Sequence, residues 1–89
     1  MARILKYQIS SLSMYSSEVS ILIPEQAVVR AVGMQHGQLY IWAEVQRGDL
    51  LTATRTFQVI PTGDDLPNGI YVGTVFDGPF VWHVYEVTS

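Results

Sequence analysis

The chain has 89 residues, of which 48% are hydrophobic and 15% charged, and its formal net charge is −3. This length predicts one domain, residues 1–89, with no room for a second hydrophobic core. The five basic residues are scattered, which excludes the basic stripe of a protein that binds nucleic acid duplexes. The absence of cysteine excludes disulfides and cysteine metal sites and favours a cytosolic protein. No apolar run approaches the ~20 residues of a membrane-spanning helix.

Apolar and polar residues alternate with a period of two along most of the chain, as in half-buried strands. In chain order, the alternation predicts strands at 4–9, 19–23, both arms of a hairpin over 28–46 with its tip at His36-Gly37, 52–60, 70–76 and 80–87. The segments between them are rich in turn residues and are predicted loops or turns: 10–18 (Ser-rich), 24–27, 47–50, 61–69 and 77–79. The predicted fold class is therefore all-β, a compact sandwich or small barrel of about six to seven mostly antiparallel strands.

Two of the predicted strands are apolar or aromatic on both faces, unlike a strand with one face in water. In the strand at 39–45, the more apolar row is Leu39, Ile41, Ala43 and Val45, and the opposite row is Tyr40, Trp42 and Glu44. In the last strand, the two rows are Phe80, Trp82 and Val84 against Val81, His83, Tyr85 and Val87. Such strands fit a closed barrel wall covered by the Ser-rich loop, a subunit interface, or the lining of a pocket.

The choice between barrel wall, subunit interface and pocket lining matters most for the stretch VFDGPFVWHVYE, residues 75–86. Its Phe80, Trp82 and Val84 row carries the larger hydrophobic area, so we predict that this row lies in the core. The opposite row combines apolar side chains with the hydrogen-bonding ends of His83 and Tyr85. That combination is typical of an interface or a pocket wall.

The sequence does not contain a recognisable catalytic set. His36 and His83 are the only histidines and have no metal-ligand spacing, and there is no Gly-x-Ser-x-Gly nucleophile motif. The adjacent Asp64 and Asp65 fall in a predicted turn, where Asp side chains usually bind the local backbone. We therefore predict no catalytic residue, no metal and no cofactor, and a protein that is not an enzyme.

Several residues are candidates for binding a ligand. Arg55 is in line with the predicted core positions Phe57 and Val59, so it needs an acceptor, either a structural carboxylate (Glu44 or Glu86) or a ligand phosphate. His83 is either a hydrogen-bonded structural histidine or a ligand contact. The predicted ligand contacts are Trp42, Arg55, Thr62, Gly63, His83 and Tyr85. For Trp42, Trp82 and Tyr85 the alternative is packing, and for the Thr62-Gly63 loop, whose backbone N–H groups can cradle an anion, it is a plain turn.

The blocks LKYQI, ILIPEQAVVRAVGMQHGQLYIWAEV, TRTFQVIPTGDDLP and YVGTVFDGPFVWHVYE resemble, over nearly the whole chain, a family of very small and largely uncharacterised tailed-phage proteins. The shared pattern includes an Ile-Pro turn, an Arg-Thr-Phe strand leading to a Thr-Gly loop, and a closing His-Val-(Phe/Tyr)-Glu strand. Glu25-Gln26 stand where that family usually has a glycine.

This resemblance implies a phage accessory protein in the host cytoplasm. The leading hypothesis is a homo-oligomer, a dimer being the commonest kind, that sequesters a small nucleotide-derived immune signal without cleaving it. The alternative is a non-enzymatic structural or interaction module that binds a host or phage protein. The sparse charge and ten aromatic residues suit either hypothesis, because both need additional buried surface.

Overall fold

The computed structural model describes residues 1–11, 18–49 and 51–88, so residues 12–17 of the predicted Ser-rich loop lie outside the described residues. Within these ranges the chain is all-β, as predicted, and contains no helix that could cross a membrane. The strands are β1 (Ala2–Ser11), β2 (Glu18–Pro24), β3 (Val28–Gln35), β4 (Gln38–Gln46), β5 (Thr52–Pro61), β6 (Gly69–Asp77) and β7 (Phe80–Val87).

The strands form two antiparallel sheets that pack face to face. One sheet has three strands in the order β1-β4-β3, and the other has four in the order β2-β5-β7-β6. The two strands with no polar face, β4 and β7, therefore each have a neighbour on both sides and do not lie at an edge. The sheets approach closely between β3 and β6, where a Cβ added to Gly73 would lie 2.5 Å from Cγ1 of Val32. Only glycine fits at that contact.

Two turns form where the sequence predicts them. His36 and Gly37 join β3 to β4 with φ values of 54° and 73°, and two successive positive φ angles are the geometry of a type I′ hairpin. The turn after β2 is closed by the Ala27 N–H, which donates to Pro24 O at 3.0 Å. Neither Glu25 nor Gln26 has a positive φ, so this turn forms without the glycine that the resembling family usually has there.

The core lies between the two sheets and follows the predicted alternation. In β4, every second residue is buried, as expected for a strand with one face inward. The inward row of β5, with Phe57 and Val59, packs against it from the other sheet. The buried hydrophobic residues of this interior are Ile9, Ile23, Ala27, Leu39, Ile41, Ala43, Val45, Phe57, Val59, Val75 and Val84.

The predicted core row of the last strand is only partly in the core. Val84 is fully buried and Trp82 packs against the core, but Phe80 is 56% exposed, so its prediction is wrong. The reason is strand length: the pairing of β5 with β7 ends at Pro61 opposite Trp82, and beyond it Phe80 has only β6 beside it. Phe80 instead stacks on the Trp82 ring, with centroids 5.5 Å apart.

We expect Phe57→Ala to lower the free energy of unfolding by about 3–5 kcal/mol, because it empties a fully buried site between the sheets. Phe80→Ala is the matched control. It removes a half-exposed ring whose stacking contributes roughly 0.5–1.5 kcal/mol. Urea denaturation of both variants measures the difference, and losses of equal size would contradict this description of the core.

Candidate ligand-binding site

The outer face of the four-stranded sheet is partly covered by the loop that follows β5. Ile60 points to this face, opposite His83 of β7, yet it is buried. The loop turns back immediately after β5, with the Asp64 N–H donating to Pro61 O at 3.2 Å. Residues 62–66 therefore lie over the sheet rather than extending the strand.

Two adjoining pockets lie between this loop and the sheet. The β7 pocket has a volume of about 300 Å³ and is lined by Pro61, Thr62, Gly63, Asp64, Leu66, His83 and Tyr85. The β5 pocket has a volume of about 410 Å³ and is lined by Gln58, Ile60, Gly63, Asp64 and Asp65. Gly63 and Asp64 line both, so the two pockets adjoin at this loop, and we call the two together the cleft. Their volumes lie at the low end of the range for small-molecule sites.

A chain of hydrogen bonds runs along one wall of the cleft. Oγ1 of Thr62 lies 2.9 Å from Nε2 of His83, and Oγ1 of Thr74 lies 3.0 Å from Nδ1 of the same ring. The phenol oxygen of Tyr71 lies 2.6 Å from Oγ1 of Thr74. Both ring nitrogens of His83 are therefore satisfied by hydroxyl groups, which fixes the orientation of the ring.

Tyr85 supplies the aromatic surface of the β7 pocket. Its ring meets that of Tyr71 edge to face, with centroids 5.5 Å apart, so the neighbouring strand supports it from the side. Pro61 and Leu66 contribute the remaining apolar lining. A planar group in this pocket would have an aromatic ring and aliphatic side chains beside it.

The charge of the cleft is negative. The described residues that line the two pockets include Asp64 and Asp65 and neither a lysine nor an arginine. A phosphate held in the cleft would be repelled at short range, whereas an uncharged or cationic group would not. The same residues could accept hydrogen bonds from hydroxyl groups. Elsewhere in the described chain, no three His, Asp or Glu side chains lie close enough to share a metal ion.

Four of the six predicted ligand contacts, Thr62, Gly63, His83 and Tyr85, come together in the β7 pocket. Sequence reasoning missed the contributions of Leu66 and of the pair Tyr71 and Thr74. The bulge in β6 between Tyr71 and Gly73 puts Tyr71 and Thr74 on the same face although they are three residues apart. No period-two pattern could have found that pair.

Trp42 lies far from this cleft in the fold, on the outer face of the three-stranded sheet. Its ring contacts the Cβ position of Gly33 on β3, and its centroid is 6.2 Å from that of Tyr40. The Lys6 ammonium group lies 4.7 Å from the Tyr40 ring centroid. Trp42 thus belongs to a separate aromatic surface rather than to the pocket.

Arg55 points inward and binds Glu86, which confirms the structural-carboxylate interpretation. Nε and Nη2 donate to the two carboxylate oxygens at 2.7 and 2.8 Å, and Nη1 donates to Ala27 O. Because Ala27 immediately precedes β3, the guanidinium links the two sheets. The hydrogen bond to Glu86 raises the pKa of Arg55 against the opposing effect of burial. All three guanidinium nitrogens of Arg55 thus bind acceptors within the protein itself.

The family model described as Domain of unknown function (DUF7352) matches residues 1–89. The chain belongs to this family. No curated protein and no solved structure matches it. The function of this DUF7352 protein is therefore inferred from the residues of its cleft.

We expect Arg55→Met to lower the free energy of unfolding by about 2–4 kcal/mol, because it leaves the Glu86 carboxylate, 19% exposed, without its cation. The matched control is Arg30→Met, which breaks the pair with Glu44 on the outer face, where the side chains are 55% and 29% exposed. It should cost less than about 1 kcal/mol. Thermal and urea unfolding compare the two, and a mild effect of Arg55→Met would contradict the linking role.

Proposed function

We propose that this protein binds a nucleoside-like ligand in the cleft around residues 62–66 and does not transform it. The observation that carries the proposal is the pairing of an aromatic-walled pocket with an acidic one across a shared loop. The first suits a planar heterocycle, and the second suits a group rich in hydroxyls. A nucleoside combines these two chemistries in one small molecule.

Each half of the cleft has a distinct role in this proposal. The heterocycle lies in the β7 pocket beside Tyr85, since aromatic side chains stack on the π-face of any base. Thr62 provides a hydrogen bond at the edge of the ring. The sugar hydroxyls donate to Asp64 and Asp65 in the β5 pocket, as acidic residues bind ribose hydroxyls in other nucleotide sites.

The cleft also restricts what the ligand carries. With two carboxylates and neither lysine nor arginine in its described lining, the cleft disfavours a phosphate inside it. A nucleotide would bind with its phosphate directed to solvent. The β7 pocket, at about 300 Å³, suits one base rather than a stacked pair.

Binding without reaction is supported by the state of His83. A histidine that activates a hydroxyl group as a nucleophile contacts that hydroxyl through one ring nitrogen and is oriented by a carboxylate on the other. Here both ring nitrogens contact threonine hydroxyls. We therefore propose sequestration rather than turnover. The resemblance to small tailed-phage proteins suggests that the captured molecule is a nucleotide-derived host immune signal in the host cytoplasm.

We expect adenosine, guanosine, cytidine or uridine to bind measurably by titration calorimetry, and the corresponding 5′-monophosphate to bind more weakly. The difference should shrink as salt is raised, because screening weakens the repulsion from Asp64 and Asp65. Tyr85→Ala should weaken binding at least fivefold, about the lower limit for losing a base stack.

Trp42→Ala is the control for this experiment, since Trp42 lies on the other sheet and its loss should leave binding unchanged. Nucleoside recovered after heat denaturation should be chemically intact. Tighter binding of the monophosphate than of the nucleoside would overturn the charge argument. Failure of all four nucleosides to bind would overturn the proposed function.

We also propose that the protein forms a homodimer through β6. β6 is an edge of the four-stranded sheet, and its residues 69–76 contain no charge and no proline. Ile70, Tyr71 and Phe76 are exposed along it. Edge strands in soluble proteins usually carry charges or proline that prevent pairing with another chain.

The other three edges carry such protection. β1 contains Arg3 and Lys6, β2 begins at Glu18 and ends at Pro24, and β3 contains Arg30 at a bulge. In β6 the bulge lies between Tyr71 and Gly73 and the charged Asp77 ends the strand, so residues 74–76 form the regular, uncharged part of this edge. Antiparallel pairing of two β6 strands about a two-fold axis perpendicular to the sheet would place both clefts on the same face.

The size of this contact indicates a weak dimer. One short strand pair with three exposed apolar side chains lies below the ~800 Å² per partner of a typical stable interface. The dimer should therefore depend on concentration. The same edge would serve the alternative function, the docking of a host or phage protein by strand addition.

We expect light scattering at high micromolar concentration to give about 20 kDa, twice the 10.0 kDa of the monomer. Phe76→Lys should restore the monomer, because it places a charge on the pairing edge at a position that is 75% exposed. Leu22→Lys on β2, at a position 66% exposed, is the control and should leave the dimer intact. A parent protein that stays monomeric at this concentration would contradict the proposed dimer. The remaining proposal would then be that a different protein docks on the β6 edge.

A further inference from the structure

The hydrogen-bond chain along the cleft joins four side chains from two strands, β6 and β7, and the loop after β5. Its order is Tyr71, Thr74, His83 and Thr62, with oxygen–oxygen or oxygen–nitrogen separations of 2.6, 3.0 and 2.9 Å. Only Thr62 of these lies on the loop that covers the pocket. A neutral imidazole donates from one nitrogen and accepts at the other. When the one hydroxyl proton of Thr74 goes to either Tyr71 or His83, the protons of the whole chain run in one of two directions.

The chemistry of the first pair selects the direction. A phenol is a stronger donor and a weaker acceptor than an aliphatic alcohol, because its oxygen lone pair is delocalised into the ring. Tyr71 therefore donates to Oγ1 of Thr74. The single hydroxyl proton of Thr74 is then free to be donated to Nδ1 of His83, which acts as the acceptor.

The rest of the chain follows from that choice. With Nδ1 accepting, the proton of the neutral imidazole lies on Nε2, which donates to Oγ1 of Thr62. The Thr62 hydroxyl has then accepted one hydrogen bond and keeps its own proton. Because Thr62 lines the β7 pocket, its hydroxyl can donate that proton to an acceptor inside the pocket.

We infer that Tyr71 and Thr74 are positioning residues that hold His83 in the Nε2–H tautomer, so that Thr62 presents a hydrogen-bond donor to the pocket. The pocket then selects a ring with an acceptor at its edge, such as a carbonyl oxygen or an unprotonated ring nitrogen. This selection rests on the proposed function, whereas the tautomer is a property of the ligand-free protein. Neither Tyr71 nor Thr74 lines the β7 pocket.

The test is the ¹⁵N NMR spectrum of the His83 ring in ligand-free protein, recorded near pH 8, above the ordinary histidine pKa of about 6.5. We expect Nδ1 to have the shift of an unprotonated ring nitrogen and Nε2 that of a protonated one. Tyr71→Phe removes the donor at the end of the chain and should shift the tautomer ratio of His83 towards Nδ1–H by up to about tenfold, as expected for one lost hydrogen bond. Thr74→Val should also shift the ratio towards Nδ1–H.

Tyr40→Phe, on the other sheet, is the matched control and should leave the His83 ring unchanged. A parent spectrum with the proton on Nδ1, or a Tyr71→Phe spectrum identical to the parent, would overturn the inference. A second measurement separates it from the proposed function. If the tautomer behaves as expected and no nucleoside binds, the proposed function fails while the chain of hydrogen bonds stands. If nucleosides bind, Tyr71→Phe should weaken those that offer a ring-edge acceptor more than those that offer a donor.

Discussion

The burial of Val84 in the core is the constraint on which the site depends. Side chains in a strand alternate between faces, so a fully buried Val84 forces its neighbours His83 and Tyr85 to the opposite face. The pairing of β7 with β5 on one side and β6 on the other holds this register along the strand. A slip of one residue would exchange the core row and the pocket row. The β7 wall of the cleft is therefore held by the same strand register as the core behind it.

The outer rows of β7 and β4, the two strands with no polar face, are covered in different ways. Over β7 and β5, the loop after Pro61 folds back and covers Ile60, which turns an apolar outer face into the floor of a cleft. Over β4, Tyr40 is covered by the Lys6 side chain, whose ammonium group lies against its ring. Aliphatic stems of lysine commonly cover apolar surface in this way. One outer face thus forms a pocket while the other stays an open surface.

The negative charge of the cleft depends on which face of the four-stranded sheet Arg55 points to. Arg55 is the basic residue on the four-stranded sheet closest in sequence to the cleft loop, and its fork is directed inward to Glu86 and Ala27. The cleft keeps Asp64 and Asp65 with no cation among its described lining residues. The interaction that links the two sheets therefore keeps this cation out of the cleft.

Period-two alternation together with the positions of turn residues predicted the strands, the His36-Gly37 hairpin and the two rows of β4, because these features depend only on local sequence. The same reasoning brought His83 and Tyr85 to one face and placed Thr62 and Gly63 in the adjoining loop. It did not place Phe80, whose exposure depends on where the neighbouring strand β5 stops. It also did not separate Trp42 from the cleft, because that depends on the sheet to which β4 belongs.

The sequence also left Glu44 and Glu86 as equal candidates for the partner of Arg55. The tertiary structure decided between them because Glu44 lies on the outer face of the other sheet, bound to Arg30, while Glu86 lies beside Phe57 on the inner face. Alternation determines which way a side chain points, but pairing between strands distant in sequence determines what it meets.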